Sequence, residues 1–436
     1  MNGYVAFHVM LSEAKHLYHR LMSSWRVRDS SWCYASLRMT LTIVVMAASL
    51  LFNVGQARAQ AGVELTNPGA TVQYGESITF LAGIKTSIQI QQASIIIIDE
   101  IQALTQVQPL TITPEGRAEY RFDTRQNLLR PFSTIHWYYE ITLADGTVFQ
   151  SDDYSVRYED NRFAWQTLEA GTVRVHWYNG DTNFGTAAIN TTQTGLQSIN
   201  RILPLDLTQP IDVFLYATED DLRATLAPSG EVWVAGHADP ALGVVTVVVA
   251  PGGDQALSME RYIPHELMHV MSYRNVGAGY ANLPAWLREG VATLTEINPS
   301  SDYDIALMEA VTKSSLIPIR DLCASFSPNR DSALLAYAEA RSFTNYLLST
   351  YGSSGLMTLA TTYADGVDCE HGPERAFGAA LSQLELDWRA TLSGQSPLNV
   401  TLKDSTPYLV LFCLVLFIPL IAILSTSRKK GNPHGP

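Results

Sequence analysis

Positive charge is scarce in this chain: its 436 residues carry 29 Lys and Arg against 42 Asp and Glu, a formal net charge of −13. Binding a phosphate backbone needs clustered basic side chains that release counterions. The folded region has no such cluster, so nucleic acid is excluded as a partner. The acidity serves solubility and says nothing about substrate. Cysteine is also sparse, four in all and none in a CxxC pair, which excludes a cysteine zinc site or a thioredoxin-like motif. Cys33 precedes the first apolar segment and Cys413 lies within the last, leaving Cys323 and Cys369 for the folded region. Outside the cytoplasm a bond between these two is allowed; two buried thiols would read the same. No internal repeat or low-complexity block occurs, and long charge-free apolar runs are confined to the two ends.

Those ends set the expected compartment. Residues 41–52 (LTIVVMAASLLF) are too short to span a bilayer and precede Ala57 and Ala59 in A-x-A spacing, the pattern of a signal-peptide core and cleavage site. Residues 1–38 have no clear period, and a translation start at Met39 is one reading of them; it would discard Arg26, Arg28 and Arg38, which a signal peptide normally uses. At the other end, residues 408–426 form an apolar stretch of membrane-spanning length, followed at once by Arg428, Lys429 and Lys430. Positive charge stays on the cytoplasmic side. The expected location is therefore the cell membrane, single-pass, with everything between the two apolar segments on the extracytoplasmic side.

At this length the chain exceeds one ordinary domain. Residues 61–160 read as strands (VELT, TVQY, SITFLAGI, ASIIIIDE, AEYRFDT, STIHWYYEITL, YSVRYED) punctuated by Gly, Pro, Asn and Asp. An all-β, immunoglobulin-like sandwich follows, in the architectural sense only, since no Cys-Trp-Cys framework is present. The run Ile95 to Ile98 reads as a strand buried on both faces, and Asp145-Gly146 as a hairpin turn. Residues 161–392 alternate strands with a helix near 186–202 and then turn helical, an α+β pattern. Residues 393–407 read as a polar tether, and 427–436 as a cytoplasmic tail.

The segment RYIPHELMHVMSYRN carries the chemistry. His265 and His269 stand four apart and share one helix face, with Glu266 beside the first. Catalytic Zn²⁺ takes three protein ligands and leaves one position open. Glu289, nineteen intervening residues beyond His269 in LPAWLREGVATLTE, is an available third ligand. Pro264 is expected to mark the first turn of the active-site helix, because a proline in a helix interior costs about 3 kcal/mol. The run Val244 to Val249 is read as an edge strand beside the cleft, although a plain core strand would look identical. His237 and Asp239 in AGHADP are set aside as turn residues, and Trp286 and Trp388 as core.

These motifs, with the later AYAEARSFTNYLLSTYG and LELDWRATL, resemble the gluzincins, zinc peptidases that combine HExxH with a downstream Glu, and specifically the bacterial peptidase MA-like family. The resemblance covers about residues 173–392. It implies a zincin-like domain of mixed sheet and active-site helices, with His265, His269 and Glu289 as zinc ligands and a zinc-bound water activated by Glu266. It also implies a tyrosine that stabilises the oxyanion. Tyr337 is the candidate, with Tyr346 or an upstream His as alternatives and the role of Arg341 open. Where related enzymes carry an Asp four residues after the Glu ligand to orient a ligating His, this chain has Thr293. No GxMEN segment precedes His265, so a membrane-anchored endopeptidase acting on peptides or proteins is the expectation. The alternatives are an inactive zincin-like surface binding protein and a zinc hydrolase of a non-peptide cell-wall amide; the partner of the sandwich is not specified.

Overall fold

The computed structural model describes residues 62–99, 102–226, 236–327 and 329–392. Within them, two sheets precede a third. The first nine strands are β1 (Val63–Gln73), β2 (Ser77–Thr86), β3 (Ile90–Asp99), β4 (Leu104–Pro109), β5 (Thr111–Ile112), β6 (Arg117–Asp123), β7 (Thr134–Leu143), β8 (Val148–Gln150) and β9 (Tyr154–Arg157). They pair as β1-β2-β6-β5 and as β4-β3-β7-β8, with β9 also on β7. Period-two burial drives the pairing. On β2, Ile78, Phe80, Ala82 and Ile84 are buried, and on β7, Ile135, Trp137, Tyr139, Ile141 and Leu143. The two inner faces meet where Phe80 packs on Trp137 at 5.0 Å and the Tyr139 hydroxyl donates to the Leu81 carbonyl. In the isoleucine run, Ile95, Ile96 and Ile97 are buried, and β3 is a central strand between β4 and β7. Gly146 supplies the positive φ of 83° that the β7–β8 hairpin requires.

The third sheet is mixed, ordered β10 (Gln166–Ala170), β11 (Val173–Trp177), β12 (Ile211–Tyr216), β14 (Val244–Val248), β13 (Gly236–Asp239). β11, β12 and β14 run parallel, and β10 and β13 are antiparallel edges. Two expectations change here. The valine run is the interior strand β14, paired on both sides; Val245 and Val247 are buried in the helical core on one face and Val244 against the Phe132–Phe214 cluster on the other. The edge is β13, so His237 and Asp239 lie in a strand rather than a turn.

Eight α-helices follow or interleave among the described residues: α1 (Thr182–Ile199), α2 (Glu219–Leu226), α3 (Gln255–Val276), α4 (Ala285–Thr295), α5 (Ser301–Lys313), α6 (Arg330–Ala364, kinked at Gly352), α7 (Gly372–Phe377) and α8 (Leu381–Leu392). Asp181 starts α1 by accepting the Phe184 N–H at 3.0 Å. One core joins α1, α3, α4 and α6 to the sheet through Val175, Val213, Leu215, Val245, Met268, Trp286, Phe343 and Trp388. The other sheet face meets the sandwich: Phe132 stacks on Phe214 at 4.2 Å, and Arg157 of β9 reaches Asp212 of β12 at 2.6 Å. Cys323 and Cys369 are bonded. Closing that 46-residue separation contributes about 4 kcal/mol in the chain-entropy model.

The expectation of a closing transmembrane helix is corrected. Among the described residues no helix is long and apolar enough to cross a membrane. The longest helices show why: α3 interleaves Glu260, Arg261, Glu266 and Arg274 with its apolar positions, and α6 carries Glu339 and Arg341. Among the described residues the architecture is thus sheets and helices of mixed type, with no helix able to cross a membrane. The readings of residues 1–60 as extension and signal peptide, of Met39 as a start, and of 393–407, 408–426 and 427–436 lie outside the described residues.

Candidate metal centre

α3 presents His265 and His269 one turn apart, and α4 crosses it so that Glu289 faces both. Glu289 Oε2 lies 3.4 Å from His265 Nε2 and 3.7 Å from His269 Nε2, and the candidate ligand atoms of all three residues fall within 4.8 Å of one another. Tetrahedral zinc with bonds of about 2.0–2.1 Å requires ligand atoms separated by about 3.3–3.4 Å. The donor set and its spacing fit zinc. Burial favours the neutral imidazole of His269, holding its pKa down at about 4. Burial raises Glu289, but the two imidazoles outweigh it and hold that carboxyl at about 2. Both residues are therefore in ligating form at neutral pH, whereas at His265 burial is outweighed by the carboxylates of Glu289 and Glu296, which raise its pKa, so a metal bound there displaces a proton from that ring.

The atoms behind the ligands complete the site. Glu296 Oε1 lies 3.1 Å from His265 Nδ1, and the Tyr280 hydroxyl lies 2.8 Å from His269 Nδ1. Each contact leaves Nε2 for a metal, with Nδ1–H donating to the outer partner. Thr293 does not take this role. Its hydroxyl donates to the Glu289 carbonyl at 2.7 Å within its own helix. Glu296 lay in view at the end of LPAWLREGVATLTE, seven residues or two turns after Glu289. Tyr280 sits in the 3₁₀ turn Gly277–Asn282 between α3 and α4 and has no sequence signal.

Glu266 is buried beside the metal ligands, and desolvation, helped by Glu289 and Glu296, pushes its carboxyl up to about 7. Edge strand β13 passes so close that a Cβ on Gly236 would come within 2.6 Å of Glu266 Oε1 and displace that carboxylate. Tyr337 of α6 stands across the site, its ring 6.1 Å from that of His265 and braced edge-on by Phe326 at 5.1 Å. Burial and the carboxylates of Glu289 and Glu266 raise its hydroxyl pKa. Tyr346 lies elsewhere, stacked on Phe343 and facing Asp387 and Tyr351. Arg341 pairs with Asp304 at 3.1 Å. A cleft of about 500 Å³, lined by Arg130, Phe132, His237, Asp239 and Thr246, lies at the sandwich side of the sheet and includes no metal-centre residue.

An HExxH helix packed beneath a mixed sheet, with a glutamate from the next helix, is the arrangement the gluzincin resemblance implied. Residues 191–394 match the Peptidase MA superfamily. No curated protein matches the chain. Among solved structures it is similar to the M1 zinc metallopeptidase from Deinococcus radiodurans, at 13% identity over 77% of this chain and 94% of that one, with a TM-score of 0.34. It is also similar to a β-1,3-glucan binding domain of carbohydrate-binding module family 56, at 14% identity over 22% of this chain and 99% of that one, with a TM-score of 0.16. At these scores neither likeness bears on what this chain does.

Proposed function

We propose that the chain is a zinc-dependent metallopeptidase, an endopeptidase, that hydrolyses peptide bonds with Glu266 as general base. The observation that carries this is the convergence of His265, His269 and Glu289 beside a buried carboxylate that a purely structural metal site has no use for. Zinc held there supplies Lewis acidity to a peptide carbonyl and acidifies water. Glu266 takes the proton from the attacking water on its carboxylate and delivers it to the leaving amine. Tyr337 donates its hydroxyl to the oxyanion. Edge strand β13, which passes beside Glu266, is the strand along which we place an extended substrate. We also read 61–160 and 161–392 as separate domains, and place the protein outside the reducing cytoplasm, a location favoured by the Cys323–Cys369 bond.

Near-stoichiometric zinc by elemental analysis, with cleavage of a mixed protein substrate lost on chelation and restored by added zinc, is the expected result. Zinc without cleavage supports the binding-protein reading or a non-peptide amide substrate, and absence of zinc ends the proposal. Tyr337→Phe should lower kcat by about 10²–10³-fold with little change in KM, the size typical for loss of one oxyanion donor. Steady-state kinetics showing less than a tenfold change would remove Tyr337 from the mechanism.

A further inference from the structure

Pro264 stands inside α3, one residue before the first ligand, and not in its first turn. A proline there lacks the N–H that would bond four residues back, so the Glu260 carbonyl loses its helical donor. That carbonyl is taken from outside the helix: the Ile297 N–H donates to it at 2.9 Å. The Pro264 carbonyl in turn accepts the Thr295 hydroxyl at 3.1 Å. Both donors belong to the segment in which α4 ends and the chain turns extended at Glu296. Glu296 lies between them, and its Oε1 is the atom facing His265 Nδ1.

We propose that Pro264 is a positioning residue: by freeing the Glu260 carbonyl, it docks residues 295–297 onto α3 and fixes the Glu296 carboxylate on His265. The inference rests on His265 being a metal ligand. A packing role alone is the competing account, since Gly195 of α1 lies against the proline ring, with its notional Cβ 3.1 Å from Pro264 Cγ. The two accounts diverge on replacement. Pro264→Ala restores an N–H that competes with Ile297 for the Glu260 carbonyl. Helix propensity alone predicts a firmer α3 and an unchanged site.

In the full chain, Pro264→Ala should speed hydrogen exchange at the Ile297 amide in metal-free protein. It should also weaken zinc binding about tenfold by chelator competition, within the range for losing a partner behind a ligand, and alter the visible spectrum of the cobalt-substituted protein. Glu296→Gln should weaken zinc similarly, and the double variant no further than Glu296→Gln alone, because both act through one contact. Unchanged Ile297 exchange with unchanged zinc affinity overturns the proposal, as do losses that multiply in the double variant. Should Pro264→Ala fail to fold, Thr295→Val removes the second tether and must weaken zinc in the same direction; wild-type affinity there is equally fatal. If the wild type binds no zinc, the ligand reading fails, while Ile297 exchange still reports whether Pro264 docks the end of α4.

Discussion

Glu266→Gln is expected to retain zinc and lose kcat by on the order of 10³-fold, within the 10²–10⁴ range of general-base catalysis. Glutamine keeps the volume and one acceptor but cannot take a proton. It touches none of the three ligands' metal-facing atoms, so metal content should be unaffected. Burial, which raises the carboxyl to about 7, makes Glu266 a stronger base than an exposed glutamate. A cation held by its neighbours lowers that value again. The acid limb of the rate profile is therefore expected below about pH 7, with activity rising as Glu266 ionises and flattening above. Zinc content and kcat measured together decide the matter: cleavage within tenfold of wild type by the zinc-loaded variant would show that another group is the base.

Asp212→Ala should destabilise the folded chain by about 3–5 kcal/mol, the cost of removing one partner from a buried ion pair. Asp212 is buried, and its carboxylate receives Arg174 from β11 at 2.6 and 2.8 Å, Arg157 from β9 at 2.6 Å and the His176 ring at 3.0 Å. Burial opposes its charge, but these partners outweigh it and hold the carboxyl well below the usual range. The alanine variant leaves two guanidinium groups facing one another across the contact between sandwich and sheet. A depressed carboxyl contributes fully above the ordinary carboxylate pKa of about 4 and loses its contribution as pH falls below that. Wild type should therefore lose its advantage over the variant in acid. Denaturant midpoints at pH 7 and at about pH 3 test both statements; a difference under 1 kcal/mol at pH 7 would mean the network is merely incidental to stability.

How much of this was legible in the sequence depends on distance along the chain. His265, Glu266 and His269 are set by one helical turn, and Glu289 by the next helix, so spacing sufficed. Trp286 and Trp388 were readable as core from apolar surroundings. Which strand forms an edge is a matter of pairing, which is non-local: VVTVVV looks the same at an edge as in the interior, and only the return of the short β13 covers it. Pro264 was misplaced for a related reason. The rule against interior prolines assumes that the freed carbonyl goes unpaired, whereas here its partner is Ile297, 37 residues beyond Glu260. Glu296 rather than Thr293 reaches His265 because α4 ends at Thr295, and the extended backbone of Glu296 carries its carboxylate back toward that ring.

The placement of the sandwich has a consequence for coupling across the sheet. Phe132 and Arg157 grip Phe214 and Asp212, whose side chains leave the sheet on the face opposite Val213 and Leu215, under which α3 and the metal centre lie. The contact between sandwich and sheet is therefore separated from the metal centre by the thickness of a β-sheet, so a change at one reaches the other only through the strands.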